Sequence, residues 1–270
     1  MRKTLLFIVA LLVFGLIAFF VKADEINHAL QRFHLPETEI TIEDVRQSQP
    51  SYSIPSDSEK EEKEFEGINL AVPFSPQAPF ADWSLPFAEA CEETSALLVD
   101  HFYRNAEITP EIANEEILAL VEWEKENLGH YEHTNMEETA RILREYFGYE
   151  KVELSYDISI NDLKNKIKEG YPVIVPLAGR QLGNPYYTPP GPIYHVLVVK
   201  GITKNGDFIT NDVGTRRGQN FIYDADVLFD AIHDVCKNAE YLSDADLENK
   251  MLEGAKAMIV VYPNSDPAEN

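Results

Sequence analysis

Hydrophobic and polar positions alternate in two different rhythms along this chain, and the rhythm changes near its middle. The first half is helical in pattern. Ala96, Leu97 and Val99 fall on one side of a segment running from Cys91 to Phe102. Pro110 to Leu128 reads as a second helix, with Thr109 as its cap, Pro110 at the first position and Gly129 as its stop. Asn135 followed by Glu138 is a capping-box pattern opening a helix that ends at Gly148, and Ser159 opens another that ends at Gly170. Further on, β-branched and aromatic residues crowd Lys151 to Tyr156, Val173 to Leu177, Ile193 to Gly201, Phe208 to Asn211 and Ala257 to Tyr262. These are predicted strands, and Ala225 to Val235 is predicted as one more helix. Helices gathered in the first half and strands in the second predict an α+β domain from about Gly67 to Pro263.

The ends of the chain have a different character. After Met1-Arg2-Lys3, Thr4 to Val21 carries no charged residue. A positive start before an apolar run directs the C-terminal side of the chain to the outer side of a membrane. The run exceeds a signal-peptide core of about 7 to 15 residues and is close to the ~18 that span a bilayer, while Val21-Lys22-Ala23 resembles a cleavage site. Residues 1–23 are therefore expected to be a membrane anchor or a signal peptide cleaved near Ala23. Asp24 to Glu66 holds 12 acidic and 4 basic residues, a net of −8 by subtraction, and reads as an acidic stalk. Residues 264–270 form a polar tail. The formal charge of −23 excludes nucleic acid as the main partner, because no basic groove is available to hold phosphates.

Cys91 and Cys236 are the two cysteines. An exported protein permits a disulfide, but Cys91 stands where a Pro-rich extended stretch turns into a helix, and that position suits a thiolate. The two are expected to stay unjoined. Glu89, Glu92 and Glu93 act in the opposite direction by placing negative charge around the sulfur. His195 enters an apolar strand directly after a Pro/Gly-rich loop, so its ring can be held rigidly while facing a cleft. After the turn Lys204-Asn205-Gly206, the chain runs back to Asn211 and Asp212, either of which can orient the imidazole. A two-residue turn puts Asp212 on the His195 face, and a three-residue turn puts Asn211 there. In neither register does the chosen side chain lie directly opposite His195, so a bend or bulge is required.

The order Gln77, Cys91, His195, Asp212 resembles the papain-like cysteine peptidase superfamily, in particular its branch that processes bacteriocins at double-glycine leaders. The resemblance spans about Val72 to Val227. It is carried by Val72-Pro73-Phe74 and Gln77 ahead of Cys91, by Tyr194-His195-Val196, and by Asn211-Asp212-Val213-Gly214-Thr215. It implies a papain-like fold, with a helical lobe carrying the cysteine and an antiparallel sheet carrying the histidine and aspartate. It also implies roles: Cys91 attacks, His195 transfers the proton, Asp212 orients it, with Asn211 as runner-up, and Gln77 donates to the oxyanion. Three features depart from the pattern: Glu92 follows the cysteine where many relatives have glycine or a small residue, the gap from Gln77 to Cys91 is long, and Val213 stands where proline often follows the aspartate.

The segment Gly179 to Pro192, dense in Pro, Gly and Tyr, is expected to shape a cleft wall, with Arg180, Tyr186 and Tyr187 as substrate-binding candidates. Arg216 and Arg217 are rare cations that suit a substrate carboxylate or an internal salt bridge. His130 and His133 lack a third partner at ligand spacing, so neither a metal nor a cofactor is expected. The expected partner is a peptide or protein substrate, and the membrane is touched through the N-terminal segment only. No Gly-x-x-x-x-Gly-Lys-Ser/Thr phosphate loop accompanies the domain, so bacteriocin maturation is not implied. Two alternatives stand beside peptide hydrolysis: amide cleavage in a cell-wall peptide, and a catalytically silent papain-like module that binds peptides. A silent module would show an ordinary, slow, high-pKa thiol at Cys91.

Overall fold

A computed structural model describes residues 65–264. The proposed anchor, nearly all of the acidic stalk and nearly all of the polar tail lie outside them. Seven strands form one antiparallel sheet: β1 (Ile68–Asn69), β2 (Lys151–Tyr156), β3 (Val173–Ala178), β4 (Tyr194–Ile202), β5 (Phe208–Asn211), β6 (Phe221–Tyr223) and β7 (Ala257–Tyr262). The spatial order is β2-β7-β3-β4-β5-β6, and β1 pairs with the far end of β4. The helices are α1 (Cys91–Tyr103), α2 (Pro110–Asn127), α3 (Met136–Glu145), α4 (Ile160–Lys168), α5 (Ala225–Ala231) and α6 (Asp244–Met251).

Alternation along the central strands splits the core into two apolar layers. Ile174, Val196 and Val198 face Ala96, Leu98 and Val99 of α1 and Met136, Ala140 and Leu143 of α3. Val175, Leu177, Leu197 and Val199 face Leu163 and Ile167 of α4 and Leu228 and Ala231 of α5. β3 and β4 are buried along their whole length, as a strand covered on both faces must be. α2 lies outside α1 and packs Ile117 and Val121 on Leu97. Its Thr109 cap accepts from Ile112 N–H. Reciprocal capping boxes at Asn135/Glu138 and Ser159/Asp162 open α3 and α4.

The helix predicted for Ala225 to Val235 is shorter than expected. At Ile232 the backbone becomes extended, pairs with Leu177 as an isolated bridge, and His233 N–H bonds Pro176 O at 3.1 Å. The unfilled edge at the end of β3 takes these groups in place of a further helical turn.

The β4–β5 connection decides the site. Its turn has Lys204, Asn205 and Gly206 outside the ladder, closed by Thr203 N–H to Asp207 O at 2.8 Å. Such a turn alone would face Asn211 towards His195. The register then shifts between Val199 and Gly201, leaving Lys200 as an extra residue, so that Val198 pairs with Asn211. The one-residue shift moves Asp212 to the His195 face. The bulge is pinned by the Lys200 amine, buried and bonded to Asn69 Oδ1 at 2.5 Å and Asn220 Oδ1 at 2.7 Å. With no carboxylate on that amine among the described residues, burial pushes its pKa down to about 8.

Candidate active site

His195 and Asp212 meet in a fully dry setting. Imidazole Nε2 lies 2.9 Å from Asp212 Oδ1, with His195 1% and Asp212 0% exposed. Asp212 also accepts from Gly214 N–H at 3.0 Å on the same oxygen. Its second oxygen, Oδ2, accepts from Asn184 Nδ2 at 2.9 Å, Tyr187 Oη at 2.7 Å and Tyr223 Oη at 2.5 Å. Burial works to raise this carboxyl's pKa, yet it is held below the usual value because His195 and the tyrosine hydroxyls favour the charged form. Because Asp212 accepts at Nε2, that nitrogen carries the hydrogen and Nδ1 is the basic atom. Asn211 turns the other way. Its amide donates to Val72 O and Pro73 O at 3.2 and 2.9 Å, fastening the Pro-rich lead-in to the sheet.

Gly214 and Gly179 are glycines for lack of space. A Cβ on Gly214 would stand 2.8 Å from His195 Cε1 and 3.2 Å from the Tyr187 ring, and one on Gly179 would stand 2.7 Å from Pro192 and 3.1 Å from His195 Cβ. The imidazole is thus boxed by the strand after Asp212, the loop before β4, and the edge of the Tyr187 ring at 5.6 Å between centroids.

Cys91 is the first residue of α1, and Ala90 provides no side-chain cap for the N–H groups of that turn. One turn later, Ser95 Oγ donates to Val196 O at 3.3 Å, so α1 is fastened to β4 beside His195. Cys91 shares its apolar cluster with Ala178, Tyr194 and Val196, around the start of β4. His195 pairs with Leu177 in the ladder, and Leu177 belongs to the other layer. The thiol donates to Glu92 Oε2 at 2.9 Å, and Glu92 is itself buried with Oε1 lacking a partner among the described residues. Burial raises the Cys91 thiol well above the ordinary cysteine range, and the charges of Glu92, Glu93 and Glu89 add to it.

Gln77 lies against the same helix start. Its backbone N–H bonds Val213 O at 2.9 Å, and its amide donates to Phe87 O and Ala88 O, both at 2.9 Å. Both amide hydrogens brace the loop that leads into Cys91, and Oε1 is buried without a partner among the described residues. Of the substrate-binding candidates, Arg180 pairs with Glu248 and donates to Gly191 O, while Tyr187 gives its hydroxyl to Asp212. Tyr186 is exposed and lies under the Arg217 guanidinium, 5.0 Å from its ring centre. Cys236 is exposed and Cys91 buried, and both are free thiols.

A sequence model of the Peptidase_C39-like family matches residues 69–237, which include every residue of this site. The chain belongs to that family. It is therefore a cysteine-peptidase-like protein of the papain-like superfamily, and the α+β arrangement above is that family's fold in this chain. No curated protein matches the sequence. Among solved structures, the chain is similar to a protein from Bacillus anthracis described as a C39-like peptidase, with 15% identity and a TM-score of 0.44 over 74% of this chain and 100% of that one. It is also similar to a Cys-to-Ala variant of a prointerpain A fragment from Prevotella intermedia, with 13% identity and a TM-score of 0.45 over 83% of this chain and 79% of that one.

Asn184 and Tyr223 are not apparent as site residues from sequence. Asn184 lies inside the loop singled out for its composition, but nothing marks it above its neighbours. Tyr223 sits on a three-residue strand too short to show a period.

Proposed function

We propose that this C39-like protein hydrolyses peptide amide bonds through Cys91, His195 and Asp212, on the outer face of a membrane to which residues 4–21 tether it or from which cleavage near Ala23 releases it. The observation that carries this reading is the dry His195–Asp212 pair, on the strand to which Ser95 fastens the helix that begins with Cys91. In the reaction, Cys91 turns from Glu92 round the start of β4 towards His195 and gives its proton to Nδ1 as the sulfur attacks the carbonyl carbon. First-turn N–H groups of α1 hold the oxyanion. Gln77 joins them on releasing one of its two carbonyls. The imidazolium returns the proton to the leaving amine, and water, deprotonated by His195, then cleaves the thioester.

A second reading, a silent peptide-binding module, is favoured by one observation: the thiol rests on Glu92 and its pKa is raised. Incubating the full chain and its Cys91→Ala variant with an unbiased peptide mixture and with cell-wall stem peptides separates these readings by mass spectrometry. The expected result is peptide-bond cleavage that vanishes in Cys91→Ala. Cleavage confined to stem peptides supports the amidase alternative. Binding without cleavage by both proteins supports the silent module, and equal cleavage by both removes Cys91 from the mechanism.

A further inference from the structure

The loop between β3 and β4 converges on the back of Asp212, away from the histidine. Asn184 is 7% exposed and uses all of its amide: Oδ1 accepts from Tyr186 N–H at 2.9 Å and folds its own loop, while Nδ2 donates to Asp212 at 2.9 Å and to Tyr223 Oη at 2.7 Å. Tyr187 and Tyr223 come from the loop and from β6, and both hydroxyls end on the same Oδ2 atom. A carboxylate buried with a single imidazole partner is costly to keep ionised and free to rotate about its last bond. Three donors on the oxygen that does not touch His195 remove both problems.

We propose that Asn184, Tyr187 and Tyr223 are positioning residues that fix the rotamer and the charge of Asp212, and so the tautomer and orientation of His195. This rests on the reading of His195 and Asp212 as catalytic. It also gives the Gly179 to Pro192 segment a purpose, which is to support the acid of the site. Tyr187 has a second contact, since its ring edge packs against His195 and against the space that Gly214 leaves open. Its hydroxyl can be removed without disturbing that packing.

Tyr187→Phe and Tyr223→Phe test the proposal, because each deletes one donor and keeps the ring. Each should lower kcat for the peptide identified above about tenfold, the scale of one hydrogen bond to a charged group, with KM unchanged. The acidic limb of the pH profile should move to higher pH, because a carboxylate with fewer donors is more basic and favours the protonated imidazole. The low-field proton resonance of His195 Nε2–H, assigned by its loss in His195→Ala, should shift in both variants, and this readout needs no turnover. A lower melting temperature with kcat, pH profile and Nε2–H resonance unchanged would show a purely structural role and overturn the proposal. If His195→Ala turns over peptide as well as the native protein, the catalytic reading fails instead, while the resonance still reports whether the tyrosines act on the pair.

Discussion

Replacing Glu92 with Gln will make Cys91 react with iodoacetamide at least tenfold faster at pH 8 to 9. The native thiol donates to a buried carboxyl at 2.9 Å. Once that carboxyl ionises, forming a thiolate beside it sets two negative charges in contact. Even at an effective dielectric of 20, charges about 4 Å apart repel by about 4 kcal/mol, and each 1.36 kcal/mol moves a pKa by one unit. Gln keeps the shape and removes the charge, whereas Glu92→Asp keeps the charge and should stay slow. Exposed Cys236 supplies the internal standard, labelling first in the native protein. Peptide mapping of the labelled protein against time reads both sites. An unchanged or slower Cys91 in Glu92→Gln would mean that Glu92 activates the thiol instead of restraining it.

The protein will also be more stable at pH 5 than at pH 8, and Glu93 and Glu124 will account for a large part of the difference. Both carboxyls are fully buried, Glu93 on α1 and Glu124 on α2, and none of their four oxygens has a hydrogen-bond partner among the described residues. Burial raises both pKa values well above the usual carboxylate range; the charges of Glu124 and Glu89 raise that of Glu93 further, and those of Glu92 and Glu138 raise that of Glu124. The folded state therefore binds more protons than the unfolded chain, so stability is full below about pH 4.5 and declines as pH rises through the folded values. Asp234, raised by burial to about 6, and Glu89, raised by burial to about 7, add to the same slope between pH 4 and 7. Asp212, held low, acts oppositely, and only in stronger acid. Glu93→Gln or Glu124→Gln should raise stability at pH 8 by on the order of 2 kcal/mol, or about 4 to 8 °C in Tm, and flatten the pH dependence. Thermal melts from pH 4.5 to 8.5 check this. A native protein whose Tm rises towards pH 8 would contradict it.

Most elements are legible in the sequence because their signals are local. Thr109-Pro110, Asn135 with Glu138, and Ser159 with Asp162 are capping chemistry that needs no tertiary partner. α6 has the same kind of signal, Ser243 accepting from Asp246 N–H, but no apolar stripe to point to it. Strand parity carries the argument as far as a choice between Asn211 and Asp212 and then stops. The bulge at Lys200 depends on Asn69 and Asn220, which are far away in sequence. The donors to Asp212 are hidden for the same reason: three hydroxyl and amide groups from two separate segments meet only in the folded chain. The acidic residues around Cys91 are a visible liability, but their burial is not readable, because Glu on a helix start is ordinarily solvated.

The central claim, that Cys91 is a nucleophile served by His195, is tested most directly with a peptidyl electrophile, such as a peptidyl vinyl sulfone built on a cleaved sequence. Its inactivation rate and the modified residue are measured in the native protein and in His195→Ala. The account predicts stoichiometric modification of Cys91, fast in the native protein although iodoacetamide is slow there, and at least about 100-fold slower without the histidine, the scale of general-base assistance. Equal rates in the two proteins, or modification of Cys236 alone, would contradict it.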